Sequence, residues 1–561
     1  MLSCLPQTPS SPPPQLLTDP FLQSPTAESV TVVWFTEFQG TEHRVEFGDD
    51  FEQRAIATTT QPNRLREDQQ SRVGNQVEDG QVYTAPTFRT VWRHESTVSG
   101  LTSGQRVPYR VISIRNDGQA VSSAAFTLSA APPSGTPLKI LLTSDHQQMP
   151  MTAANLQKVQ ETVGQVDAVW LAGDLVNIPD RASEWFDHNQ GNAFFPCLQG
   201  HAAYTLEREG IAPRTYQGAA LIQSAPLFTA IGNHEVMGRM GLSDGLNDEF
   251  NDAIPREAAL RIYGDVAARS LKDYSYNTDT YEALFTLPQS PDGGETYYAT
   301  TFGDIRLVVL YTGNMWRVPN TDPDRSGKYQ EAQDALTQRD KWGFGQVIFE
   351  SIAQGSLQYN WLKQELTSPE FLQARYRVVM LHHPPHSLGD NVVPPYTDPV
   401  RVVEWDDTGA IAAVRYDYSK TDDYLIRDVM PLLEAANVQL VFYGHSHIWN
   451  RFRTPSGVEL LESSNVGNTY GAAWGDNPRD VPENSSNYAA LGDPYGLEPI
   501  LPTLAPLATD QGELMPFVAD NNITVFSILD TATGTVSSYR FDTRTPDSAA
   551  IKFDEFALSF G

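Results

Sequence analysis

Beyond residue 137, short apolar runs repeatedly stop at Gly, Asp, Asn or His, and this recurrence constrains the fold more than any other feature of the chain. Runs at 138–143, 167–171, 226–231, 377–381 and 438–443 are followed by Ser144-Asp145-His146-Gln147, Gly173-Asp174, Gly232-Asn233-His234-Glu235, His382-His383-Pro384 and Gly444-His445-Ser446-His447. Apolar runs of this length bounded by turn residues read as buried strands. A further strand is expected at 305–310, and helical patterning at 152–163, 358–366 and 424–436 alternates with the strands. That alternation predicts α/β layering. In such a sheet the residues that follow each strand gather at one carboxyl edge, the usual place for a ligand site.

The first part of the chain reads differently. From Phe21 to Leu128 the pattern is β: Val30, Val32 and Trp34 alternate with Thr31 and Val33, which predicts strands with one buried face. Val45 and Phe47 precede Gly48, and Tyr109, Val111 and Ile112 follow the turn Thr102-Ser103-Gly104. Short strands at regular spacing predict a β-sandwich. The Pro- and Gly-rich stretch 132–137 reads as a linker. The expected organisation is a disordered Pro/Ser-rich start at 1–20, an all-β sandwich at 21–131 and a catalytic domain with a C-terminal extension at 138–561. Segments 238–289 and 465–516 have weak periodicity and read as insertions or loops framing a site.

A length of 561 residues fits two or three domains. The formal charge of -30 argues against nucleic acid or anionic lipid as a partner, since both need clustered Lys and Arg. An anionic substrate would then require locally supplied positive charge, and metal ions are its obvious source. Cys4 and Cys197 are expected to be free thiols. With no run of about 18 apolar residues, no membrane span is expected. Residues 1–15 lack the features of a secretory signal, so the cytoplasm is the default location.

The residue types at the strand ends carry the chemistry. Carboxylate and imidazole together suit zinc, manganese or iron, and a carboxylate can bridge two ions. The ordered set resembles the calcineurin-like metallophosphoesterase superfamily, whose pattern runs Asp-x-His, Gly-Asp, Gly-Asn-His-Asp/Glu, His, Gly-His-x-His. Within it the chain looks most like the purple acid phosphatase group, in which a fibronectin type III-like sandwich precedes the catalytic domain. The two-tyrosine stretch 297–310 and Gln358-Tyr359-Asn360-Trp361-Leu362 fit that group as well.

The resemblance implies an α/β sandwich of two sheets flanked by helices, and hydrolysis of a phosphomonoester in the manner of an acid phosphatase. It implies two divalent or trivalent ions (Fe, Mn or Zn): one on Asp145, Asp174 and His447, the other on Asp174, Asn233, His382 and His445. Asp174 would bridge them, and a metal-bound hydroxide would attack the phosphate ester. His234 would contact the phosphoryl oxygen and protonate the leaving alkoxide, with Asn233 and His386 as further substrate contacts. The resemblance also links the chain to exported enzymes. A phosphodiesterase or nucleotidase with the same centre is the alternative enzyme, and a non-catalytic metal-binding scaffold the alternative of another class.

Two departures stand out. Gln147 occupies the place of the family's second His, and Asn177 that of the metal-binding Tyr of the purple enzymes, so the colour due to tyrosinate is not expected. Gln147, Asn177 or His146 is left to complete the first metal site, and an amide oxygen would favour a harder ion such as manganese. The spacing to Pro384 favours His382 over His383 as ligand. Glu235 is expected to orient its neighbours, and Tyr297 and Tyr298 to pack in the core.

Overall fold

The computed structural model describes residues 12–73, 83–241, 245–264, 267–291, 293–317, 329–482 and 485–559. Residues 1–11, most of the expected disordered start, and Cys4 with them, lie outside that set. The apolar runs form the strands Lys139–Thr143, Ala168–Leu171, Leu227–Thr229, Ile305–Val309, Tyr376–Met380 and Leu440–Tyr443, within one or two residues of their expected limits.

These strands belong to two sheets. Leu227–Thr229, Ala168–Leu171 and Lys139–Thr143 are parallel neighbours in a six-stranded sheet. Ile305–Val309, Tyr376–Met380 and Leu440–Tyr443 are parallel neighbours in a seven-stranded one. Successive side chains of a strand point to opposite faces, and the second sheet obeys this strictly. Leu307, Val309, Val378, Met380, Leu440 and Phe442 enter the large core between the sheets. Val308, Val379 and Val441 enter a second core, which the helices Leu357–Glu365 and Met430–Ala435 cover with Leu362, Met430 and Leu433. The hydroxyl of Tyr298 donates to the carbonyl of Thr229 at 2.9 Å, tying one sheet to the other. Tyr297 and Tyr298 are buried packing residues.

Residues 21–128 form four- and five-stranded antiparallel sheets around Val30, Val32, Trp34, Val45, Tyr109 and Val111. This is the all-β arrangement expected to precede the catalytic part. One detail differs. The strand Ser29–Thr36 is buried on both faces, because Val33 and Phe35 on its second face join the large core between the two α/β sheets. Phe35 lies 5.1 Å from Phe186 and 5.5 Å from Phe195, measured between ring centres.

The C-terminal region, which no motif assigned, supplies the strands Ile523–Asp530, Thr535–Asp542 and Ile551–Ala557, half of the six-stranded sheet. Ile523–Asp530 pairs antiparallel with Lys139–Thr143. The expected helix at 424–436 opens as a π-turn over Leu425–Val429 before Met430–Ala435 becomes α-helical. Pro431 has no N–H for an α-helical bond, and a wider turn preceding it accommodates that loss. Segment 238–289 holds the short helices Leu246–Asn251, Arg256–Tyr263, Ala268–Asp273 and Asp279–Leu284. Among the described residues, 465–516 carries no helix and no strand beyond isolated bridges. Cys197 is buried and unpaired. No described helix is long and apolar enough to cross a membrane.

Candidate metal centre

Each strand end delivers its residues to one place. The loops after neighbouring strands are stitched together by backbone hydrogen bonds: Asp145 N–H donates to Gly173 O, Gln147 N–H to Leu175 O, and Gly444 N–H to His382 O. Such close approach needs glycine. A Cβ on Gly444 would collide with Ser144 and the Asp145 carboxylate, and one on Gly173 would lie 2.7 Å from the Gly232 nitrogen. Four of the gathered residues, Asp145, Asp174, His445 and His447, hold φ of 58°, 56°, 87° and 55°. Non-glycine residues seldom adopt this region, and such backbone strain clusters at functional sites.

Asp145, Asp174 and His382 present ligand atoms within 4.8 Å of one another, and so do His382, His383 and His445. The tautomers of two histidines follow from their partners, because a carbonyl only accepts. His382 Nδ1–H donates to Ala172 O at 2.8 Å, and His447 Nδ1–H donates to Asn468 O at 2.9 Å. Each neutral ring therefore turns an Nε2 lone pair inward. His382 Nε2 meets Asn233 Oδ1 at 3.1 Å and Asp174 Oδ2 at 3.3 Å, while His447 Nε2 meets Asp145 Oδ1 at 3.4 Å. Lone pairs aimed at lone pairs call for a positive charge between them.

Protons can take that place, and the electrostatics show the demand. Burial opposes charge on His382, but the Asp174 carboxylate outweighs it and pushes the imidazole up to about 10. His447 is likewise raised against its burial by Asp145. Asp174, which burial alone would push up, is held below the usual carboxylate range by His382 and His234. Burial and the adjacent imidazoles keep His383 and His445 well below the ordinary histidine value. A donor set of carboxylates, imidazoles and an amide oxygen whose lone pairs converge fits a divalent or trivalent cation.

The carboxylate of Glu235 accepts from the N–H groups of Asp174, Leu175 and Gly232 at 2.8, 2.7 and 2.7 Å. It orients two ligand loops, and burial together with the Asp174 charge pushes it up to about 8. His234 Nδ1–H donates to Asn177 O at 2.8 Å, leaving Nε2 free. His234 lines a polar cavity of about 700 Å3. His386 stands apart from this network, its Nδ1 beside Asp493 Oδ2 at 3.0 Å.

Of the three residues left open for the first site, Gln147 bonds directly to Asp174. Its Nε2 donates to Asp174 Oδ2 at 2.9 Å, and its Oε1 is buried without a partner. Asn177 uses its amide to donate to Gln147 O at 2.6 Å and Gln148 Oε1 at 3.0 Å. His146 sits 3.1 Å from Thr143 Oγ1 through Nε2, with its ring toward Phe194.

Two neighbours, Arg317 and Tyr470, escaped the sequence reading, and a third, His383, was weighed there only as the alternative to His382. His383, set aside in favour of His382, stacks 3.9 Å from His445, and both its ring nitrogens are buried without partners. Arg317 donates to the carbonyls of Asn233, Val236 and Phe250. Tyr470, from the loop at 465–516, lays its ring 4.8 Å from that of His447. The His-His pair was visible in the sequence, whereas Arg317 and Tyr470 carry no local signal.

Comparison with known proteins bears on the whole arrangement. Among solved structures, a purple acid phosphatase from yellow lupin (Lupinus luteus) seeds matches with a TM-score of 0.52 at 13% identity, covering 96% of this chain and 73% of that one. This shows a shared fold. The anchor GAP50 of the Plasmodium inner membrane complex aligns at a TM-score of 0.30 and 11% identity over 74% of this chain and 89% of its own, which is too low to carry an argument. A search of curated proteins finds no match. The calcineurin-like phosphoesterase family model matches residues 138–449, from the first strand of the six-stranded sheet to just past the Gly-His-x-His loop. With more than half its length and its ordered ligand loops inside that match, the chain belongs to the calcineurin-like phosphoesterase family.

Proposed function

We propose that this protein hydrolyses a phosphomonoester at a centre of two metal ions. Asp145, Asp174 and His447, completed by the Gln147 amide oxygen, would hold one ion, and Asp174, Asn233, His382 and His445 the other. The observation that carries this reading is the pair of fixed tautomers that aim His382 Nε2 and His447 Nε2 at oxygen acceptors. A bound ion pair would supply Lewis acidity toward phosphoryl oxygens and an activated water. The chain's own groups do the rest.

Asp174 stands where both ligand sets meet, and Glu235 holds its loop in place through three N–H bonds. Asn233 is steadied by Arg317 on its carbonyl. His234, anchored through Nδ1, turns Nε2 to the cavity; once that nitrogen takes up a proton, which burial disfavours and an acidic medium supplies, it would hand the proton to a departing alkoxide. The same reading divides the chain into an N-terminal β-sandwich at 21–131 and a catalytic domain at 138–561, with the C-terminal strands as part of the latter.

The test begins by stripping metal with a chelator and restoring manganese, zinc or iron while following phenyl phosphate and diphenyl phosphate. Metal should restore turnover of the monoester in preference to the diester, and binding should release protons as His382 and His447 give theirs up. His234→Ala should then lower monoester turnover by roughly two to four orders of magnitude with metal content retained. Preference for the diester would move the assignment to a phosphodiesterase. Metal binding with no turnover of either ester would leave a scaffold.

A further inference from the structure

The cavity beside His234 is walled by two regions far apart in sequence. Residues 69–72 come from the N-terminal β region, and Asn177, Arg181, His188 and His234 come from the catalytic part. In a chain of formal charge -30, this wall carries two arginines, Arg72 and Arg181, and one carboxylate, Glu184. Arg181 is neutralised, since it donates to Asp68, Glu184 and Asn247. Arg72 is not: its side chain is exposed and makes no ion pair or hydrogen bond among the described residues.

His188 is a second group without its complement, because its Nδ1 is sealed from solvent and has no partner. Burial, and after it the nearby charges of Arg72 and Arg181, lower its imidazole to about 4. Amide groups of Gln69, Asn177, Asn247 and Asn251 also line it, and its one carboxylate, Glu184, is engaged by Arg181.

We propose that this cavity receives the leaving group of the ester and that Arg72 binds a second anionic group on it, a carboxylate or another phosphate. The planar guanidinium fork suits both, through paired charge-assisted hydrogen bonds. The amides around it suit a polar, hydroxylated connecting portion, and a volume of about 700 Å3 accommodates a small metabolite. The substrate class is therefore a small phosphomonoester with a second negative charge remote from the scissile bond. The N-terminal β region becomes a specificity element. This inference rests on the phosphomonoesterase reading.

The experiment measures kcat/KM for 4-carboxyphenyl phosphate and for phenyl phosphate on the metal-reloaded full chain, in the native protein and in the Arg72→Ala and Arg72→Lys variants. The ratio of the two values is the readout, so differences in the folded or metal-loaded fraction cancel. The native ratio should exceed one by about tenfold, the worth of a charged hydrogen bond. It should fall to one or below in Arg72→Ala, recover in part in Arg72→Lys, and shrink as salt is raised. A native ratio at or below one, or a ratio that Arg72→Ala leaves unchanged, overturns the role of Arg72. In either case hydrolysis of both esters would leave the phosphomonoesterase reading standing. Failure to hydrolyse either ester removes that reading and this inference with it.

Discussion

Gln147 is where this centre departs from its relatives and where a single substitution is most informative. Its Oε1 is buried with no partner, while its Nε2 steadies Asp174. An imidazole in its place restores the residue usual in the superfamily and offers a softer donor than an amide oxygen. Gln147→His should therefore hold zinc more tightly, by about tenfold or more if it acts as first-site ligand on the scale of metal-site changes. Metal content after timed dialysis against a chelator checks this without reference to turnover. The candidate ligands could be picked out of the sequence because they follow apolar runs closely, Asp174, Asn233 and His445 each directly after a glycine. The choice among Gln147, Asn177 and His146 was not legible, because it depends on which side chain is already engaged elsewhere. Asn177 spends its Nδ2 on the Gln147 backbone, and His146 turns Nε2 to Thr143 with its Nδ1 buried and unpartnered among the described residues, and none of these contacts has a sequence signature. Arg317 and Tyr470 were invisible for the same reason, since long-range packing alone brings them to the site.

At the level of elements, apolar runs predicted all six strands of the site scaffold, and the helix Thr152–Val163 formed with its expected limits. Misreadings arose where an element packs on more partners than its own pattern reveals. The strand Ser29–Thr36 alternates on one face, yet its other face is apolar enough to be buried too. The turn before Tyr298–Phe302 carries a second kind of hidden constraint. Glu295 accepts from Leu287 N–H at 2.8 Å, and burial, reinforced by Glu95 and Glu282, pushes its carboxyl up to about 7. Its folded-state value thus lies above its ordinary one, so the fold favours the protonated form. That contribution to stability is complete below the ordinary carboxyl range and is lost as pH rises through about 7. Glu295→Gln, which cannot ionise, should match the native protein in Tm near pH 4 and exceed it by a few degrees near pH 8. A thermal shift series across that interval measures the difference.

For the molecule as a whole, the N-terminal sheets and the phosphoesterase-family part share one core. Phe21, Val33, Phe35, Leu65 and Val91 belong to the same buried cluster as the strands of the six-stranded sheet. Heating should accordingly melt the chain in a single transition. Phe35→Ala, which empties the space between Phe186 and Phe195, should cost about 3 to 5 kcal/mol and lower that transition, or split it in two, as followed by calorimetry. Two separate transitions in the native protein would instead mean that the shared core does not couple the regions.

The pairing of Leu142 with Ser527 also has a consequence for biosynthesis. The strand that leads to Asp145 leaves the ribosome long before Ile523–Asp530, its neighbour on one side. Until then that edge has no hydrogen-bonding partner and is open to wrong pairing. Every ligand through His447 can thus be translated while the scaffold beneath Asp145 is still half built. A transcript cut short after residue 516 would encode every candidate ligand and yet omit the strand that closes this edge beside Asp145.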